Sequence, residues 1–545
     1  MCGRTYVRSL ICIFVNNNLG INVCITLLIM SRGLVYIHFM DFHGYNPLHN
    51  NDNLCEEVEI SMIIIIALML YIIIGTFIAL LSRKYMIKGD PSDYFIARRS
   101  LGGFISAMTY AATTYSAFMM IGLVGLAYAT GVGALGFELT YLVGTLFLLS
   151  LLAPRAWLLS KNKGFITPSS MLGVIYESKL LARITALIVL IALIPYSSIQ
   201  LIGIAKLFEG LMGFRDAYLI GLVTACILTI TWSILGGLRG IAWTDAFQGI
   251  IMLSTSVFLL LWCIMWGFGD INNFINSSAR ILTELNLGSI PNWYWNIKVF
   301  LAYTIPWIFF SVTNPQVVQR LYMPKNIHSL RKMIIYFALF GLIYTVIVTL
   351  LGISIRVLAE NRLIEMVNPY NKNLWNLVTP KFLSYVPTIL AIFTIIGILS
   401  AAISTIDSII LSLSSMIVKD VMLTIKKDFD KRHEVYIGQL LVIVFTVIAM
   451  LFAYLKPAFV VDLAVLSSTI LLSFAPLTIG GLIIKRKPLV SLTILSALTG
   501  LLIVLINELL ELIIDIDIAS YIPLPIIILS LSTILYMLGF LIRKK

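Results

Sequence analysis

Ala401-Ala-Ile-Ser-Thr-Ile-Asp-Ser408 lies in the middle of one long apolar run over residues 385–418. Hydroxyls and a carboxylate packed into about two helical turns are expensive at membrane depth, where a central Asp costs about 2.5–3.5 kcal/mol on insertion scales. Such groups persist where they face a protein-lined, usually wet, cavity. Ser404 and Thr405 supply hard oxygen ligands of the kind that hold an alkali cation. The stretch points to a chain that moves something across a membrane with the help of an ion.

The rest of the chain agrees with that setting. Of its 545 residues, 60% are hydrophobic and 12% charged, against about 25% charged in soluble globular domains. From Met62 onward, thirteen apolar stretches are long enough to span a bilayer: 62–82, 103–129, 132–160, 180–210, 217–235, 243–268, 297–322, 331–358, 385–418, 435–455, 458–484, 489–512 and 522–542. Lipid offers backbone polar groups no partner, so each span must be helical. The expected fold is an all-α multi-pass membrane protein.

A net charge of +12 raises the question of nucleic acid, but the distribution of the charge argues against it. If the loop 83–102 is cytoplasmic and sides alternate from there, one side collects most of the basic residues. Among them are Arg83, Lys84, Arg98, Arg99, Lys161, Lys163, Arg239, Arg320, Lys332, Lys419, Arg432, Lys485, Arg486 and Lys487. The other side holds few, such as Arg280, Lys298, Arg356 and Lys381. The positive-inside rule then places the Met62 end outside and the carboxyl terminus in the cytoplasm of a cell-membrane protein.

Residues 1–61 differ in composition. Cys2, Cys12, Cys24, Cys55, His38, His43 and His49 crowd there, without the spacing of a metal site. An apolar run at 9–30 has a signal-like character, and a start of translation at Met40 or Met62 is the plainer alternative. The connections 269–296 and 359–384 are too short for a soluble domain.

Two spans carry signs of interruption. Span 103–129 holds Ala111-Ala-Thr-Thr-Tyr-Ser-Ala117, and 297–322 holds Pro306 and Pro315 around Trp307-Ile-Phe-Phe-Ser-Val-Thr-Asn314. Proline removes a backbone donor and breaks a helix. An unwound segment frees carbonyls for a cation and turns half-helix dipoles toward a solute. A single such helix reads more simply as a structural kink; two at matching positions favour a site. The organisation is then a peripheral first helix and loop (62–102), a first repeat (103–268), an external loop (269–296), an inverted second repeat (297–484) and two peripheral helices (485–545).

Gly236-Gly-Leu-Arg-Gly-Ile-Ala-Trp-Thr-Asp-Ala-Phe-Gln248 resembles a signature of the sodium:solute symporter family. So do Ser404-Thr-Ile-Asp-Ser408, Tyr115-Ser-Ala-Phe-Met-Met-Ile-Gly122 and Ser100-Leu-Gly-Gly103. The resemblance implies a LeuT-like architecture of five plus five inverted helices, with sodium as the coupling ion and a small organic solute as cargo. It also implies a sodium site built from carbonyls at Ala112, Tyr115 and Ala401 and the hydroxyls of Ser404 and Thr405. Neutral oxygens suit a weakly held monovalent ion, whereas calcium would want several carboxylates.

On the solute side, Glu138 in Gly136-Phe-Glu-Leu-Thr-Tyr141 matches an acid of the family's sugar transporters, but Met119 replaces their amide. Pro306-Trp307 resembles the proline transporters, but Thr114 replaces their acid. The implied solute site is Thr114, Met119, Glu138, Tyr141, Trp307, Phe310 and Ser311, better suited to an amino acid or small monocarboxylate than to a sugar.

Plainer readings stand beside each role. Ser404 and Thr405 can bond back to a carbonyl one turn earlier. Asp407 falls on another face from Thr405 and either pairs with a base or assists ion release. Asp245 either pairs structurally with nearby Arg239 or stages departing sodium. Glu138 is structural, carries a coupling proton or binds solute. Proton coupling on the same scaffold is the nearest rival function, and a non-transporting membrane sensor is the next, although no output domain is expected after Lys545. An enzyme is not expected: His433-Glu434 lacks the second histidine of a zinc motif. No obligate protein partner is inferred.

Overall fold

The computed structural model describes the backbone of residues 7–16, 22–30, 35–41, 51–212, 216–425, 430–455 and 460–542. Side chains are described from Ile63 onward, except at 210–212 and 460–461. The chain forms two units, Met1–Leu70 and Tyr71–Lys545. The first contains an antiparallel meander of β1 (Val7–Asn16), β2 (Asn22–Met30) and β3 (Val35–Asp41). The signal-like run at 9–30 falls on β1 and β2, and the Cys and His side chains before residue 63 lie outside the described residues. From Asn51 onward the described architecture is helical.

Ten helices are long and apolar enough to cross a membrane, or eleven when a bent pair is counted as one span. The expected thirteen is not what length and composition alone deliver, for two reasons. The Ala217–Phe268 helix runs through two expected spans, and the segment expected at 297–322 is divided into short pieces.

The long helix bends inside its glycine motif. Gly237 adopts φ 49° and ψ −154°, and a Cβ there would run into the ring and carbonyl of Tyr94. Only glycine takes that backbone at such close approach without strain. The other polar residues of the motif are used nearby. Arg239 pairs with buried Asp93 at 2.8 Å, and Gln248 donates to the Tyr71 hydroxyl at 2.8 Å.

Burial separates central from peripheral helices. The Thr388–Met416 helix, here the late helix, is buried at every position from Gly397 to Met416. A helix apolar all round and buried all round belongs at the centre of a bundle. Only 17% of the apolar window in Ile63–Arg83 and 28% of that in Leu524–Ile542 are buried, so these helices present most of their surface to lipid. The late helix packs mainly on Ala217–Phe268 and Lys179–Met212, and also on Gly103–Thr114.

Both interrupted spans are observed. Gly103–Thr114 ends at Tyr115 (φ −93°, ψ 100°), and the chain resumes at Phe118 after a bend of 51°. Its resumption opens with a π-helical turn over Phe118–Leu123, a distortion that recurs at functional sites. The other span is Ile297–Ile308, Phe310–Thr313 and Pro315–Arg320, interrupted at Asn314 (φ −86°, ψ 113°). The two breaks share nearly the same extended backbone.

Candidate functional site

Tyr115 makes the last helical bond of its half-helix, donating its N–H to Ala111 O at 2.8 Å. Beyond it the exposed backbone is satisfied by side chains. Gln200 Oε1 accepts from Ala117 N at 3.2 Å, and Ser116 Oγ accepts from Phe118 N at 3.2 Å. Buried peptide groups need such partners, so these contacts hold the break open.

The late helix meets this break. Ser404 Oγ donates to Ala112 O at 2.9 Å and Thr405 Oγ1 donates to the same carbonyl at 3.1 Å. Ser404 also reaches back to Ala401 O at 3.2 Å, so back-bonding occurs together with the cross-helix contact. Ala112, Ala401, Ser404 and Thr405 are thereby joined in one cluster, fully buried, with Tyr115 at the break beside it. Neutral oxygens converging without a carboxylate in the bonded set have the chemistry of a monovalent-cation site.

Next to it, Thr113 Oγ1 and Ser408 Oγ share a hydrogen bond of 2.9 Å, and Arg320 donates to Ser408. The charge count places Arg320 among the cytoplasmic cations, at the end of the apolar stretch 297–322. It is fully buried, because it closes the short Pro315–Arg320 helix that restarts inside the bundle after the break. Its guanidinium faces Asp245 and Asp407.

Of the two readings of Asp245, pairing with Arg239 is not what the structure shows. Arg239 binds Asp93, whereas Asp245 Oδ2 accepts from Thr109 at 2.6 Å. No ion pair within 4 Å joins Arg320 to either carboxylate among the described residues. Asp245 Oδ1 and both Asp407 oxygens lack a well-formed hydrogen bond, and the Thr229 hydroxyl, Asp245, Arg320 and Tyr71 face Asp407.

The third group surrounds Glu138, on the Val132–Lys163 helix. Its side chain is buried, and Oε2 has no hydrogen-bond partner. The phenols of Tyr115, Tyr141 and Tyr196 face it. Trp307 stacks on Phe310 at 5.1 Å and on Phe118 at 5.4 Å, while Tyr141 meets Trp307 edge-on at 5.6 Å. Trp307 Nε1, Gln200 Nε2 and the Tyr141 hydroxyl are buried and unpartnered, while Thr345 and Ser116 are the polar groups facing the Tyr115 and Tyr196 hydroxyls. Native proteins leave few such groups, and a cluster of them calls for an explanation.

Of the expected solute residues, Glu138, Tyr141, Trp307 and Phe310 belong to this shell or its aromatic wall, Met119 is buried on the adjoining π-helical turn, and Ser311 is buried instead in a small cavity with Leu148, Leu152 and Thr478. Thr114 departs from the expectation: its hydroxyl is turned back to Tyr110 O at 2.7 Å. Tyr196, Gln200, Thr113 and Arg320 were not singled out from sequence. Tyr196-Ser-Ser-Ile-Gln200, following Pro195 inside an apolar span, carries the same kind of polar signal as 404–408.

The chain matches the sodium:solute symporter family over residues 94–503. It is 27% identical over 400 residues to the sodium/pantothenate symporter of Haemophilus influenzae, covering 72% of this chain and 79% of that one. It is 26% identical over 420 residues to a sodium/proline symporter of Staphylococcus aureus, covering 74% and 77%. A Na+-coupled sialic acid symporter solved in a substrate-bound outward-open state superposes with a TM-score of 0.73 at 18% identity, covering 88% of this chain and 98% of that one. At that identity the superposition speaks for the LeuT-like fold alone. With the match running through both broken helices and the late helix, this integral membrane protein belongs to the sodium:solute symporter family.

Proposed function

We propose that the protein couples inward flow of sodium to uptake of a small organic solute, an amino acid or a small monocarboxylate, by alternating access. The carrying observation is the double hydroxyl contact from Ser404 and Thr405 to Ala112 O across two helices. A hydroxyl that donates to a carbonyl can turn its lone pair to a cation instead. Sodium would then be held by the Ala112, Tyr115 and Ala401 carbonyls and the two hydroxyls, clasping the broken helix to the late helix. The Tyr115 phenol reaches from that break toward Glu138, so the ion and solute sites share a residue. Sodium binding thereby shifts the population toward a state ready for solute.

Asp245, Asp407 and Arg320 lie beside the ion site, and we place them on the route by which sodium leaves. The Met62 end would face outward and the carboxyl terminus the cytoplasm. Polar crosslinks at two places would open in turn. Gln319 bonds Phe95 O, Ile166 O, Ser415 and Ser412, and elsewhere Tyr303 and Lys372 both engage Asp462. One sodium moving through 100 mV yields about 2.3 kcal/mol, and a tenfold gradient about 1.4 kcal/mol more. At one-to-one coupling that sustains a several-hundred-fold solute gradient.

Proteoliposome uptake tests the reading, with sodium and proton gradients imposed separately. Accumulation driven by sodium and lost in the Ser404→Ala/Thr405→Ala double variant is expected. Uptake that survives sodium removal and collapses with the pH gradient would replace sodium by protons.

A further inference from the structure

The half-helix Gly103–Thr114, which carries Ala112, begins at a corner where three other parts of the chain meet. Leu101 N donates to Met323 O at 3.1 Å, and Lys325 N donates to Leu101 O at 2.9 Å. Lys332, early in the Ile327–Glu360 helix, packs so closely on Gly103 that a Cβ there would collide with it. Trp157, near the end of the Val132–Lys163 helix, donates Nε1 to Pro324 O at 2.8 Å. The Lys161 ammonium lies over the Trp157 ring at 5.1 Å. Lys161, Lys325 and Lys332 therefore border one corner from three different elements.

This corner is basic and its walls hold no acid. Residues 94–137, 139–176 and 285–359 contain no Asp or Glu. Lys161, Lys325, Arg331 and Lys332 are exposed, and none has a carboxylate within 4 Å among the described residues. Other cations that the sequence puts on the same side are paired: Arg98 with Asp90, Arg239 with Asp93, Lys419 with Glu434 and Lys487 with Glu177.

The remaining border is aromatic. Phe104 meets Tyr336 edge-on at 6.5 Å, and both rings are exposed on helices that are apolar enough to cross a membrane. Three such helices end at this corner. Helix ends lie at the level of lipid headgroups, where aromatic rings and snorkelling lysines collect.

We propose that the corner binds an anionic phospholipid, with its phosphate among Lys161, Lys325 and Lys332 and its acyl chains along Phe104 and Tyr336. A soluble anion would leave the aromatic border unused. A zwitterionic lipid brings the same phosphate together with a positive group that the unpaired cations repel. On the sidedness proposed above the corner faces the cytoplasm, whose leaflet carries anionic lipids. The bound lipid bridges the Val132–Lys163 and Ile327–Glu360 helices across the foot of the half-helix and favours the closed foot seen here. Lipid and ion then act on opposite ends of the same half-helix.

The test is the thermal stability of the delipidated full chain in detergent micelles doped with dioleoyl phosphatidylglycerol or, at the same fractions, dioleoyl phosphatidylcholine. Phosphatidylglycerol should raise the melting temperature and phosphatidylcholine should not. Lys161→Gln/Lys325→Gln/Lys332→Gln should raise the half-saturating fraction of phosphatidylglycerol by at least about tenfold. Each single substitution should raise it about fivefold, which keeps the test decisive even if the triple variant folds poorly. Arg83→Gln/Lys84→Gln/Lys88→Gln removes as much charge from exposed positions on the same side and should respond as the wild type does. Glycerol 1-phosphate, the headgroup without chains, should have no effect at the same concentrations.

Equal stabilisation by phosphatidylcholine, or none by phosphatidylglycerol, would overturn the proposal. So would single and triple variants that respond like the wild type. A control triple that loses the response as fully would reduce it to general surface charge, and equal stabilisation by glycerol 1-phosphate would replace the lipid by a soluble phosphate; either result rejects a lipid site at this corner.

Discussion

Ser404 and Thr405 reach Ala112 O at 2.9 and 3.1 Å, whereas Glu138 Oε2, the Tyr141 hydroxyl and Trp307 Nε1 meet no partner among the described residues. Both clusters are buried in the same bundle and both touch the break at Tyr115. The difference is chemical. A hydroxyl both donates and accepts, so a site built from hydroxyls and carbonyls closes on itself and then yields its oxygens to a cation. A buried carboxyl and a tryptophan N–H that meet no complementary group have no such way to close on themselves. A site built from such groups stays unsatisfied until something complementary arrives. The ion site is therefore quiet in stability terms, while the solute site carries a cost that its ligand relieves.

The largest effect is expected where charge is buried beside the ion cluster. Arg320→Ala leaves Asp245 and Asp407 without the guanidinium that faces them and should destabilise the protein by about 3–5 kcal/mol, seen as a large fall in melting temperature. Glu138→Met should have the opposite sign. Removing an unpartnered buried carboxylate should stabilise the protein by about 1–3 kcal/mol while uptake is lost, the pattern of a group kept for function. A destabilised Glu138→Met variant would erase the contrast between the clusters.

Ser404→Ala should cost about 1 kcal/mol in thermal denaturation without sodium, the worth of a satisfied hydrogen bond. The smallest effect is expected at Thr114, whose hydroxyl serves only its own helix. Thr114→Val should change stability by less than about 0.5 kcal/mol and leave uptake unchanged. Lost uptake in that variant would return Thr114 to the solute shell.

Much of this was legible in the sequence, and the exceptions have physical causes. The two breaks were readable because prolines and a polar patch stand out against apolar runs, and the pairing of 111–117 with 401–408 followed from the family resemblance. Helix count was harder: Gly237 bends the long helix without ending it, and Asn314-Pro315 chops another span into pieces too short for a length criterion.

The burial of Arg320 is not legible in sequence because it depends on the restart of the helix after Asn314, which carries the side chain inside. Asp245 was given the partner nearest in sequence, but the bend at Gly237 turns Arg239 toward Asp93. Thr114 is a candidate lining residue by position, and the structure shows its hydroxyl turned back to Tyr110 O. Gln200 went unnoticed because its role, holding Ala117 N, exists only when two distant helices meet.

The central claim is that the Ser404–Thr405–Ala112 cluster is the sodium site, and stabilisation of the purified protein by sodium tests it most directly. Titrating sodium against a constant ionic strength of potassium should raise the melting temperature of the wild type and leave that of Ser404→Ala/Thr405→Ala unmoved. A double variant that sodium stabilises at the same concentrations as wild type would contradict the account and place the ion elsewhere.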